Sequence, residues 1–88
     1  MDFTNIFDAS KEGTIDDVKI FIEEQYVDVN LKDEYKNTPL IYATGWNNKN
    51  SELVTSYLVS HGADVNAKND LGDTPMHMAA DKDNVRTV

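Results

Sequence analysis

Chemistry needs nucleophiles, acid–base groups or metal ligands, and this chain supplies few in useful company. It carries two histidines, His61 and His77, and no cysteine. Without cysteine there is no thiolate nucleophile, no disulfide and no thiolate metal site. His77 and Asp81 stand four apart and could share one helical face, but a pair without a third ligand is a poor metal site. Asp81-Lys82-Asp83-Asn84 begins like a calcium loop, yet the glycine and distal glutamate of such a loop are missing. No glycine-rich phosphate motif occurs, and no serine is spaced from a histidine as nucleophile and base. The residues therefore predict no catalytic group, no metal and no cofactor. His61 precedes Gly62 after an apolar run, where a helix C-terminus favours a cation. His77 follows Thr74-Pro75-Met76, and both histidines read as structural.

The elements that position these residues are easier to read. Thr38-Pro39-Leu40-Ile41-Tyr42-Ala43 returns 36 residues later as Thr74-Pro75-Met76-His77-Met78-Ala79. Gly62-Ala63-Asp64-Val65-Asn66 has a worn counterpart in Asp28-Val29-Asn30. A fixed period of this size marks a stack of small similar units, and such stacks make extended recognition surfaces. Thr38 and Thr74 can accept a hydrogen bond from a free N–H of a first helical turn. Pro39 and Pro75 then fall at the first helical position, where the missing donor is harmless. Leu40 with Ala43, and Met76 with Ala79, lie three apart on one face. Gly62, after Tyr57-Leu58-Val59, fits the left-handed residue that ends a helix. Thr14 and Asp17 form a capping-box-like pair, with Asp in place of Glu, ahead of Val18, Phe21 and Ile22.

The chain resembles the ankyrin repeat family, whose unit is about 33 residues. That unit has a tight turn, a helix opened by Thr-Pro-Leu-His, a short loop, a second helix and then Gly-Ala-Asp-Val-Asn. The resemblance implies an all-α solenoid of stacked helix-loop-helix units joined by β-turn, hairpin-like loops. It implies one domain over residues 1–88, with a capping repeat at about 3–32, a second at about 33–68 and an incomplete third at about 69–88. In the first repeat Thr4 aligns with Thr38 and Thr74, Ile6 with Leu40 and Met76, and Ala9 with Ala43 and Ala79. Gly13 takes the inter-helix glycine position.

Three departures carry expectations. The second repeat is three residues longer than the family unit, within Thr44-Gly45-Trp46-Asn47-Asn48-Lys49-Asn50, and Ser51 is expected to cap the next helix. Insertions often lie on the binding face, and Trp46 is the only tryptophan, a type enriched at interface hot spots. The alternative is that Trp46 folds over its own loop. Ile41 replaces the histidine that in the family ties the turn to its neighbour, which predicts a drier junction there; the third repeat keeps it as His77. The chain ends before the third repeat's second helix is complete. Met76, Met78 and Ala80 should then lack a cover, and the end after about Asp81 should fray or self-associate weakly.

The net charge of −8 is lopsided. Residues 1–34 hold ten acids against three lysines, and residues 35–88 hold six acids against five bases. Such a chain repels phosphate backbones, which disfavours nucleic acid, and would steer a basic partner. The acids also suit a polar solenoid cap. No apolar run approaches the roughly 20 residues of a membrane span, and the first residues lack a signal peptide's pattern, so a cytoplasmic protein is expected.

The family resemblance places binding on the concave side, at the turn tips and first helices. Position by position that side holds Lys32, Glu34, Tyr35 and Asn37 in the second repeat, and Lys68, Asp70, Leu71 and Asp73 in the third. Trp46, Asp81 and Lys82 fall at the variable ends of the first helices. Tyr35 and Leu71 put apolar bulk where the family commonly has polar residues, and Tyr35 with Trp46 makes the best anchor pair. Lys36 stands where the family's turn glycine would be. Lysine tolerates a positive φ poorly, so this tip need not copy that of the third repeat. The expected function is a non-catalytic protein-binding module for a partner of basic character. Two alternatives stand beside it: an inhibitor or immunity-type protein that occludes a toxin or enzyme, and the N-terminal piece of a longer array.

Overall fold

The computed structural model of the protein describes residues 4–46 and 49–79. The chain runs through α1 (Ile6–Glu12), α2 (Ile15–Lys19), α3 (Pro39–Gly45) and α4 (Ser51–Ser60). A short helix, α5, follows over residues 75–79. α2 passes directly into a π-helical turn, Ile20–Glu24. Among the described residues there is no strand, and the architecture is an all-α stack of helix pairs.

Local caps decide where the helices begin. The Thr38 hydroxyl accepts from Ile41 N at 3.2 Å and Pro39 opens α3, as its sequence requires. Thr14 and Asp17 form the reciprocal box: Thr14 N donates to Asp17 Oδ2 at 2.9 Å and Asp17 N to the Thr14 hydroxyl at 3.4 Å. Two caps differ from expectation by one residue. In α1 the cap is Asn5, whose Oδ1 accepts from Asp8 N at 2.9 Å while its Nδ2 donates to Asp8 Oδ2 at 3.1 Å. Asparagine is as good a cap as threonine, and Asn5 has an acid three residues on to answer it. In α4 Asn50 holds the cap position. Ser51 is the first helical residue, and its hydroxyl donates to Trp46 O at 3.1 Å, which ties the inserted loop down.

Both histidines serve helix ends. His61 is the C-cap of α4; its Nδ1 donates to Tyr57 O at 2.9 Å, and its ring stacks on Tyr57 at 4.1 Å. Among the described residues His77 bonds within its own turn, where the resemblance implies a tie to the neighbouring one. Thr74 N donates to His77 Nδ1 at 3.2 Å and His77 N donates to the Thr74 hydroxyl at 3.3 Å. The imidazole thus takes the acceptor role that Glu has in a capping box. Ile41, at the matching place in α3, is fully buried, so that junction is dry as expected.

One core joins the helices. It takes Ile6 and Ala9 from α1, Val18 and Phe21 from the next helix, Leu40 and Ala43 from α3, Val54 and Leu58 from α4, and Ala63. Burying each Leu, Ile or Val contributes about 1.5–3 kcal/mol. Ala9 and Ala43 are completely buried on the packed helices α1 and α3; small side chains there let the two inner helices approach closely. Met76 is 78% exposed, as expected, but Met78, expected to lack a cover, is half-buried with its side chain against Gly45 at the end of α3. Leu40, Val59, Val65, Pro75 and Met76 border an apolar groove of about 220 Å³. Ala80 and the expected fraying after Asp81 lie outside the described residues.

Candidate functional site

The two turn tips are built alike. Asp33 Oδ1 accepts from Tyr35 N and Asn37 N, both at 2.9 Å. Asn69 Oδ1 accepts from Leu71 N at 2.9 Å and Asp73 N at 3.0 Å. Asp33 N donates to Asn37 O, and Asn69 N donates to Asp73 O, each at 3.0 Å. Short side-chain acceptors that bond two residues ahead fix turns of this kind. Lys36 follows the pattern in full. It takes φ of 62°, close to the 80° of Gly72, so the tip copies its neighbour at the cost of strain.

The tips are also joined to each other. Asp70 N donates to Tyr35 O at 3.0 Å, and Asn69 Nδ2 donates to Asn37 Oδ1 at 2.9 Å. Asn37 Nδ2 in turn donates to the Tyr42 hydroxyl at 3.3 Å, and that hydroxyl donates to Asp33 Oδ2. Burial first, then the Asp33 bond, raises the pKa of Tyr42.

Each expected site residue can now be placed. Lys32, Glu34, Lys68 and Asp70 are exposed along the tips. Tyr35 is 59% exposed and Leu71 85%, both pointing apolar bulk at solvent. Asn37 and Asp73 are half-buried, and the Asn37 side chain is committed to the tip network. Trp46 is 38% exposed and lies 5.1 Å from the Tyr42 ring; it folds against its own helix and still presents a face. Tyr35, in the tip before α3, and Trp46, just after it, lie beyond opposite ends of a helix whose seven residues rise about 10 Å. They bracket a face rather than line one pocket. Asp81 and Lys82 lie outside the described residues.

Sequence reasoning missed the middle of this face. Phe7 packs edge-on against Tyr42 at 5.8 Å, and Tyr42 leads on to Trp46. The Lys11 ammonium lies over the same rings, 5.3 Å from Trp46 and 6.0 Å from Tyr42. A signal was present: Phe7 with Lys11 and Tyr42 with Trp46 are both four apart, and the second pair follows the first by 35 residues. Equivalent positions on stacked helices become neighbours. The exposed acids of the first unit mostly lie elsewhere: Asp16 is on α2, and Glu23, Glu24 and Asp28 follow on or after the π turn. At the tips lysines and acids alternate. Among the described residues no three His, Asp or Glu side chains gather as a metal site.

Comparison with known proteins gives consistent results. A family model described as ankyrin repeats (3 copies) matches residues 6–88. Alpha-latrocrustotoxin-Lt1a of Latrodectus tredecimguttatus is 38% identical over 77 residues, covering 88% of this chain and 5% of that protein. A Rickettsia bellii protein, named as an ankyrin repeat protein, is 30% identical over 91 residues, covering 98% of this chain and 52% of its own. A crystal structure of an ankyrin repeat protein superposes with a TM-score of 0.81 at 29% identity, covering 91% of this chain and 41% of that one. The chain thus spans about half or less of the length of these relatives.

Proposed function

This chain belongs to the ankyrin repeat family, and from that premise we propose that it is a non-catalytic module that binds a protein of basic character on its inner-helix and turn-tip face. Ankyrin repeats are protein-interaction modules, and the family supplies the coarse function. The observation that carries the finer reading is the aromatic row Phe7–Tyr42–Trp46, continued at the tips by exposed Tyr35 and Leu71. Aromatic side chains on a rigid scaffold give large contact area at low entropic cost, and they dominate interface energetics. The fold has no need of Tyr35 or Leu71 at their exposed positions.

Charge enters at longer range. The net −8 draws a basic partner toward the molecule, while the aromatic row makes the contact. Nucleic acid is disfavoured by the same sign. Among the described residues no helix is long and apolar enough to cross a membrane, and we place the module in the cytoplasm. Exposed Met76 and the apolar groove beside it are the surface we assign to weak self-association.

The test is capture from host lysate on immobilised wild type beside a Tyr35→Ala/Trp46→Ala variant of equal helicity. The expected outcome is a basic protein held by the wild type and released by the variant, weakening as salt rises. Equal capture by both proteins would reject this face. An inhibitor or immunity role uses the same surface but demands tight, stoichiometric, salt-sensitive inhibition of the captured protein, which an activity assay on the complex reads directly.

A further inference from the structure

The two histidines hold helix ends of opposite polarity. At the C-terminus of α4 the His61 Nδ1 donates to Tyr57 O at 2.9 Å. A carbonyl oxygen only accepts, so this nitrogen carries a hydrogen in the neutral ring and keeps it in the charged one. A positive charge is also favourable at that end of a helix. At the start of α5 the relation is reversed. Thr74 N donates to His77 Nδ1 at 3.2 Å, and a backbone N–H only donates. The bond exists only while Nδ1 is bare, which fixes the neutral tautomer with its hydrogen on Nε2. A charged imidazole has two donors and no acceptor. Its Nδ1 can then turn to the Thr74 hydroxyl, also 3.2 Å away, but Thr74 N faces a donor and has no acceptor among the described residues.

We propose that His77 is an acid-released latch on the third repeat, while His61 keeps the second repeat capped at the same pH. The latch needs no partner and is independent of the binding face assigned above. Its bond to Thr74 pins α5 to the tip that carries Leu71. α5 in turn sets Pro75 and Ala79 along the apolar groove beside Leu40, and Met78 lies against Gly45 of α3. Imidazole is the side chain that ordinarily changes charge between pH 5 and 8, so the latch opens over that interval and leaves the first two repeats stacked. The titratable and charged groups around His77 are Lys68, Asp70 and Asp73 in its own tip and Asp33, Glu34, Tyr35 and Lys36 in the tip joined to it. α3 adds Tyr42, already bonded to Asp33, and α4 brings only Thr55 and Val59 to the groove. Around His61 they are Tyr57, on which it stacks, Glu23, bonded to Tyr57, and Asp64. Carboxylates ordinarily ionise below this interval, and phenols and lysines above it.

An NMR titration of the whole chain from about pH 8 to about pH 5.5 reads both helix ends at once. The ratio of helical to frayed forms over residues 75–79, taken from Cα shifts, should fall about two- to tenfold, the worth of one cap. Residues 51–60 should keep theirs. His77→Gln leaves an acceptor at the same capping position without a titrating ring, and it should remove the fall. His61→Gln should leave the fall in place. No fall in the wild type, an equal fall in both helices, or a fall that survives His77→Gln would overturn the latch. Ring nitrogen shifts of the wild type give a check that needs no substitution. His77 should show a bare Nδ1 at the alkaline end of the titration, and a hydrogen on Nδ1 there would overturn the proposal whatever the variants do.

Discussion

At Tyr26 and Lys36 the backbone takes a conformation that suits glycine. Their φ values are 55° and 62°, and the residues 36 positions on, Gly62 and Gly72, take 93° and 80°. A side chain in this region costs about 1–2 kcal/mol, partly offset because glycine gives a more flexible unfolded chain. Lys36→Gly should therefore raise stability by about 0.5–1 kcal/mol in urea unfolding; a loss would show that the lysine makes a compensating contact. Tyr26 is 86% exposed, so the fold gains nothing visible from its ring. Tyr57 makes a second residue-scale prediction. Burial, then its hydrogen bond to Glu23 at 2.5 Å, pushes its pKa up to about 12 from 10.0. The folded state holds the phenol proton more tightly than the unfolded state does. The resulting stability is full below pH 10 and is lost as pH rises through about 12. Absorbance at alkaline pH should show a late phenol ionisation that Tyr57→Phe removes. An unchanged titration curve would remove the Glu23–Tyr57 link.

The elements depend on caps that act within three residues. Thr14 and Asp17 satisfy each other's backbone donors at the start of α2. Each single change, Thr14→Ala or Asp17→Ala, should cost about 1 kcal/mol. The double variant should cost little more than either, because both singles break one reciprocal unit. Strictly additive losses would mean that the two bonds act independently. α2 then changes pitch: Gln25 N donates to Ile20 O at 3.1 Å and Val27 N to Phe21 O at 2.9 Å. This wider turn delivers the chain to Tyr26 and on toward the first tip. α3 ends differently, with Trp46 lying back on Tyr42 and the Ser51 hydroxyl bonded to Trp46 O. The longer loop of the second repeat is thus anchored at the aromatic row.

On the scale of the whole molecule, stability is the sum of units and of the junctions between them. Asn30 is such a junction. Its Oδ1 accepts from Asp64 N at 2.7 Å and its Nδ2 donates to Gly62 O at 3.1 Å, so one side chain joins the ends of two helix pairs. Asn30→Ala should cost about 1 kcal/mol, since water can replace bonds at this exposed site. Hydrogen exchange should speed up in α1 and α2 relative to α3 and α4. An even loss of protection across all four helices would show that the core alone couples the units. The charge distribution belongs to this scale too. Among the described acids of residues 1–34, Asp16, Asp17, Glu23, Glu24 and Asp28 lie on α2, on the π turn or just after it, and the exposed ones act at longer range as a field.

The sequence by itself determined what local rules govern. The Thr-Pro openings, the Thr14–Asp17 box, the glycine at residue 62 and the buried spacing of Leu40 with Ala43 all act over one helical turn, and all were legible. The repeat period and the family followed from their recurrence. Exposure of Tyr35 and Leu71 was legible for the same reason, since their places in the unit fix which way they face. Tertiary structure alone decided which residues of different units meet. Close packing of α1 on α3 brings Phe7 to Tyr42 and Lys11 over Trp46, and stacking of the tips carries Asn37 to Asn69 and Tyr35 to Asp70. These partners are separated by 32 to 35 positions in the chain. Their meeting depends on the distance and angle between helices, which a small buried residue such as Ala9 or Ala43 allows but does not by itself specify. The choice of Asn5 over Thr4 as the first cap was undecidable from residue type, because both cap well; it was settled by where the stacked α1 has to begin.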